Sequence, residues 1–123
     1  MPYMLLMVEP TGQRAERGVD AGHEVYDRML DFAADLKARG ILLATQSLAS
    51  QSEAVRVQVR KGRPRLIDGP FAEAKEMVGG FFLVDCDSRE AALAIAARCP
   101  AAEWCTVEVR RVGPCWEEAA AAG

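Results

Sequence analysis

Histidine occurs once in this chain, at His23, and the four cysteines, Cys86, Cys99, Cys105 and Cys115, include no pair at zinc-knuckle spacing. A closed set of nitrogen and sulfur ligands cannot be assembled from these, so no metal and no cofactor is expected. Basic charge is not in excess either: 15 lysines and arginines face 18 acids, a formal charge of −3. Without a basic field, nucleic acid is excluded as a partner, and Arg60-Lys61-Gly62-Arg63-Pro64-Arg65 reads as a solvated hairpin tip. Apolar runs long enough to span a bilayer are missing, which excludes a membrane helix. With no secretory leader at its start, the chain is expected to be cytoplasmic with reduced thiols. No phosphate-binding glycine loop and no serine nucleophile elbow occurs.

What is present suits one compact unit. At 123 residues, half of them hydrophobic and 27% charged, the chain is expected to form a single domain over 1–123 with a self-sufficient core. Residues 3–9 are short and apolar and read as a strand, closed by Pro10-Thr11-Gly12, with a polar loop to about Gly22. From His23 to Arg39, Tyr26, Met29, Leu30, Ala33 and Leu36 recur at helical spacing, with Asp20 as N-cap and Gly40 as the stop. Ile41–Leu48 is a second strand. Residues 54–61 alternate, with Val55, Val57 and Val59 on one side and Arg56, Gln58 and Arg60 on the other, and are expected to keep one face wet. Arg65-Leu66-Ile67 returns as their partner. Phe81–Asp85 is the most apolar strand, Asp87-Ser88 caps a second helix that ends near Pro100, and residues 106–112 form the last strand.

Residues 53–78 therefore stand out as an inserted hairpin and motif, and residues 113–123 as a C-terminal tail in which the Ala119–Ala122 run is expected to fray. Without them the order is strand, helix, strand, strand, helix, strand. That is the ferredoxin-like βαββαβ arrangement of the α+β class, an antiparallel sheet with two helices on one face. Residues 4–8 and 81–84 are apolar at successive positions, so both faces of those strands need cover. Two helices cover one face, and the sheet of a second copy is expected to cover the other, giving a homodimer.

The centre of the chain is Asp68-Gly69-Pro70-Phe71-Ala72-Glu73-Ala74-Lys75-Glu76, followed by Gly79-Gly80-Phe81. Together with Tyr3-Met4-Leu5-Leu6, Gly40-Ile41-Leu42-Leu43, Val55-Arg56-Val57, Arg98-Cys99-Pro100 and Glu108-Val109-Arg110, these residues resemble the YCII-related proteins of the DGPF type. The resemblance runs from about residue 3 to 112 and implies the dimeric α+β barrel form of the ferredoxin-like fold. It implies no established reaction, and it brings an association with extracytoplasmic-function sigma factors. Related YciI-like proteins carry a His–Asp pair proposed as catalytic. Their Asp-Pro-Phe motif follows the second helix, so Asp68 does not inherit that role, while His23 falls roughly where their histidine does. Gln46-Ser47 departs from the Glu-Gly that the resemblance implies before Leu48.

The candidate site residues each carry two readings. Asp68 is a turn residue capping its own backbone, or a general base at a cleft mouth. Gly69 is the turn residue that permits an unusual φ. Glu73, Lys75 and Glu76 are a charge network docking the hairpin, or an acid–base cluster with shifted pKa values. Gly69, Phe71, Gly79 and Gly80 are candidates for ligand contact, the two last because glycine permits close approach. His23 lies four residues from Asp27 on one helix face and has a pKa suited to proton transfer. Two functions follow from these residues. One is a dimeric small-molecule-binding protein, working as a cofactor-independent enzyme if the motif cluster is acid–base machinery. The other is a non-catalytic interaction module for a sigma-factor partner.

Overall fold

The computed structural model describes residues 1–117; the Ala119–Ala122 run and the end of the tail lie outside them. Six strands and three helices follow in the order β1 (Pro2–Pro10), α1 (Gln13–Arg17), α2 (Val19–Ala38), β2 (Leu42–Ser47), β3 (Val55–Arg60), β4 (Arg63–Asp68), β5 (Glu76–Asp85), α3 (Arg89–Arg98) and β6 (Thr106–Arg111). The main sheet has the order β2-β5-β1-β6, and every neighbouring pair is antiparallel. With the β3–β4 hairpin set aside, this is the ferredoxin-like α+β fold expected from the sequence.

Alternation along β1 decides which face meets the helices. Tyr3, Leu5, Met7 and Glu9 are buried, while Met4, Leu6 and Val8 on the other face are half-buried. The buried row packs with Phe82 and Val84 of β5, Leu36 of α2, and Ala92, Ile95 and Ala96 of α3. Phe32 of α2 meets Phe82 edge to face, ring centroids 5.2 Å apart. Among the described residues no helix lies on the opposite face. The register sets Leu6 opposite Phe81 and Glu108, and Met4 opposite Leu83 and Arg110, so an apolar strip with a charged border runs across it.

The helix ends follow their local chemistry. Ser88 caps α3 by accepting the Ala91 amide at 3.1 Å. Gly40, at φ +74°, ends α2 in a Schellman turn: its amide reaches the Lys37 carbonyl, and the Ile41 amide reaches that of Leu36. Two expectations need correction here. The segment before Gly22 is no loop, because Gln13–Arg17 is helical and α2 starts at Val19. Gly18, at φ +83°, breaks the two helices apart and is the N-cap position that the sequence assigned to Asp20.

The inserted hairpin also differs from expectation. Its valines do not face a core: Val57 is 63% and Leu66 70% exposed, and nearly every side chain of both strands meets solvent. The hairpin is held at its base, where the Gly69 amide donates to the Ala54 carbonyl and Arg56 lies over the buried Phe71 ring, 3.6 Å from its centroid. Gly69 is needed for closeness and not for an unusual φ. A Cβ there would fall on the Gln51 carbonyl oxygen, and the Gly69–Pro70 bond is cis. Among the described residues no helix is long and apolar enough to cross a membrane.

Candidate functional site

A cavity of about 650 Å³ lies between the helix face of the sheet and α1–α2, at the end of β1 that carries Glu9. Its size falls in the range of about 300–1,000 Å³ usual for small-molecule pockets. Met7, Phe82, Val25, Met29 and Ala33 form its inner wall, with Tyr26 and Leu30 toward the opening. This explains why the apolar stripe of α2 is wider than the core requires. Tyr26 and Leu30 are half-exposed because they face the cavity and not a neighbouring element.

The polar end of the cavity is built on Glu9, which is 8% exposed. Being the last in-phase residue of the buried row of β1, it points into the helix side of the sheet. Arg14, the second residue of α1, donates Nε to Glu9 Oε1 at 2.6 Å, Nη1 to the Leu48 carbonyl at 2.8 Å and Nη2 to the Gly79 carbonyl at 3.3 Å. One guanidinium thus ties α1, the end of β2 and the middle of β5 around the carboxylate. Oε2, the second carboxylate oxygen, has no hydrogen-bond partner among the described residues.

Gly79 makes room for that oxygen. The β1–β5 register slips between Met7 and Val8, a bulge that leaves Gly79 beside the carboxylate, where a Cβ would fall on Oε2. Gly80 is needed against the neighbouring strand, since its Cβ would lie 2.8 Å from the Gln46 carbonyl. Trp104 and Cys105, just after the 3₁₀ turn Pro100–Glu103, close the far side. The Arg17 and Arg28 guanidiniums lie 5.8 and 5.4 Å from the Trp104 ring centroid, and Gln13 Nε2 donates to the Trp104 carbonyl at 2.6 Å. Burial, with the nearby Glu9 charge, pushes the Cys105 thiol up to about 11, so it stays protonated at neutral pH.

The residues singled out from sequence divide between two places. His23, Gly79 and Gly80 line the large cavity, His23 at its exposed rim with no bond to Asp27. Phe71 and Glu76 line a second cleft, of about 520 Å³, between the hairpin base and the start of β5. Asp68 ends β4 in solvent opposite Val55. Glu73 is exposed and reaches Arg56 at 3.8 Å. Lys75 is exposed, its carbonyl accepting the Thr11 amide at 2.9 Å, and no ion pair joins it to Glu73 or Glu76 among the described residues. The motif charges are therefore spread along a loop and not gathered into a cluster. No group of three or more histidine, cysteine or acidic residues is placed to hold a metal ion among the described residues.

Glu9, Arg14, Trp104 and Cys105 were not singled out from sequence. Glu9 alone left a signal, an acid in phase with the buried alternation of Tyr3, Leu5 and Met7. The other three reach the cavity only through tertiary packing.

No curated protein matches this chain by sequence. Among solved structures, 5-chloro-2-hydroxyhydroquinone dehydrochlorinase (TftG) from Burkholderia phenoliruptrix AC1100, in complex with 2,5-dihydroxybenzoquinone, superposes with a TM-score of 0.54. The alignment covers 92% of this chain and 94% of that one at 14% identity, a likeness of fold. The YCII-related domain family matches residues 1–115, nearly the whole chain including the Asp68 motif and every residue of the cavity, and the chain belongs to that family.

Proposed function

We propose that this protein is a dimeric small-molecule-binding protein whose ligand occupies the cavity between the sheet and α1–α2. One observation carries the reading: a buried carboxylate, held on one oxygen by Arg14 and bare on the other, faces an apolar cavity of ligand size. The neighbouring fold of TftG, solved with a small quinone, supports a pocket-forming role for this architecture. The second copy belongs on the outer face of the sheet, where Met4, Leu6, Val8, Phe81 and Leu83 are half-buried and no helix among the described residues covers them.

A ligand-observed NMR screen of small ring compounds tests the cavity. Hits should bind the native chain and Lys75→Met alike, and should be lost in Ala33→Trp, which fills the cavity from α2. Hits that survive Ala33→Trp would move the site elsewhere.

The bare hairpin favours a second reading, an interaction module. Val55, Val57, Val59 and Leu66 offer an apolar face to a protein partner, a sigma factor being the one implied by family resemblance. On this reading Asp68, Glu73 and Lys75 border the docking surface, and substitutions there weaken partner binding while leaving the cavity hits unchanged.

A further inference from the structure

The bonding inside the cavity narrows the ligand class, on the footing that the cavity is the binding site. Three polar side chains of its wall, Arg14, Thr45 and Arg17, are already committed to the protein. Arg14 spends three N–H groups on Glu9 and two carbonyls. Thr45 donates its hydroxyl to the Phe81 carbonyl at 2.8 Å, and Arg17 donates to Gln13 Oε1 at 3.0 Å. His23, Tyr26, Gln46 and Ser47 also line the cavity but are exposed to solvent, whereas Glu9 Oε2 is an ionisable oxygen on a residue 8% exposed with no protein donor among the described residues. Oε2 is open to the cavity, so a ligand that fills the cavity takes this oxygen from water and must itself supply a hydrogen bond, or leave the carboxylate unpaired at a cost.

The missing group is therefore one that gives a hydrogen bond. Local charge decides what kind. Two guanidiniums, Arg14 and Arg17, line the cavity against the single carboxylate of Glu9, which disfavours an ammonium donor. A ligand carboxylate would set its own oxygens against Oε2. The protonated Cys105 thiol adds no second negative charge at neutral pH. The body of the ligand would lie against Met7, Met29, Phe82 and Trp104, which suit a flat apolar ring.

We infer that the cavity takes a neutral hydroxylated ring, a phenol or enol, whose hydroxyl donates to Glu9 Oε2. Gly79 belongs to this device. Any side chain there would occupy the space beside Oε2, so the bulged glycine keeps the oxygen open. Recognition of a hydroxyl by a buried acceptor also discriminates sharply, because an analogue without the donor leaves the acceptor unpaired.

The test is calorimetry on the full chain at pH 7 with 4-ethylphenol, 4-ethylanisole and 4-ethylbenzoate, alike in shape but differing at the group that meets Glu9. The phenol should bind at least ~10-fold more tightly than the ether, which keeps the oxygen but cannot donate. In Glu9→Gln that preference should shrink and benzoate binding should improve. A thermal melt checks that the variant folds, and the phenol–ether comparison on the native chain decides the matter even if it does not. Equal affinity for phenol and ether, or benzoate as the tightest of the three on the native chain, overturns the hydroxyl assignment while leaving the cavity as the site. If none of the three gives binding that Ala33→Trp abolishes, the cavity itself fails as the site and the assignment with it.

Discussion

Glu9 and Gly79 show how much a single position depends on its neighbour across the sheet. Replacing Gly79 with alanine would put a methyl group onto Glu9 Oε2 and 2.8 Å from Arg14 Nη2. Both contacts are side-chain ends, but both ends are pinned, so Gly79→Ala is expected to cost about 1–3 kcal/mol by overpacking. Urea denaturation measures that loss, and an unchanged midpoint would mean that Glu9 swings freely. The cysteines give a prediction in pH. Burial raises Cys99 and Cys105 above the ordinary thiol value of 9.0, Cys105 to about 11. In the unfolded chain the thiolate forms first. The stabilisation is therefore fully present below about pH 9 and is lost as pH climbs toward 11, by ~1 kcal/mol for Cys105, whose partial exposure to solvent screens the effect. Denaturation midpoints at pH 8, 9.5 and 11 should fall in that order, and Cys105→Ser should flatten the decline. A rise with pH would contradict the sign.

Among the elements, α3 and the hairpin stand at opposite ends of a scale of burial. Helix α3 is short, caps itself through Ser88 and buries Ala92, Ile95 and Ala96 in the core. Ser88→Ala should cost ~1 kcal/mol, the usual loss of a serine cap, and a smaller loss would show water taking over the Ala91 amide. The β3–β4 hairpin is anchored by Phe71 and the Arg56 contact at its base while its strands stay exposed. An isolated two-stranded ribbon is marginal in water, so the tip should exchange amide hydrogens far faster than β5. Val57→Asp in the hairpin and Lys75→Met in the motif loop should each shift stability by no more than about 0.5 kcal/mol. A larger loss at Val57 in the purified protein would mean that the hairpin packs against something, a second copy included.

For the whole molecule, the decisive feature is a sheet that, among the described residues, carries helices on one side only. The outer strip of Met4, Leu6, Val8, Phe81 and Leu83 is bordered by Glu108 and Arg110, which pair with each other at 3.9 Å. Stacking a second sheet on that strip should bury upward of roughly 2,000 Å² in total, as obligate interfaces do. Sedimentation equilibrium should find a dimer at micromolar concentration, and Leu6→Asp, placing a charge mid-strip, should yield monomer or unfolded chain. A native chain that sediments as a stable monomer would remove the dimer.

Period and local chemistry decided much of this in advance. Alternation in residues 3–9, the stripe at 26, 29, 33 and 36, Ser88 before α3 and Gly40 after α2 are signals carried within a few residues, and they determine element type, order and fold. The Asp68 motif was legible as a sequence feature, yet its charges spread along a loop, because chain neighbours in a loop have no periodicity to bring their side chains together. The hairpin's alternation predicted a buried face that nothing among the described residues covers, since a period of two tells that a strand has two sides and not that anything lies against either. The cavity depended on tertiary structure for the same reason. Glu9, Arg14, Gly79 and Trp104 come from four separate stretches of the chain, and only the β1–β5 register, the break at Gly18 and the packing of α1–α2 on the sheet bring them around one space.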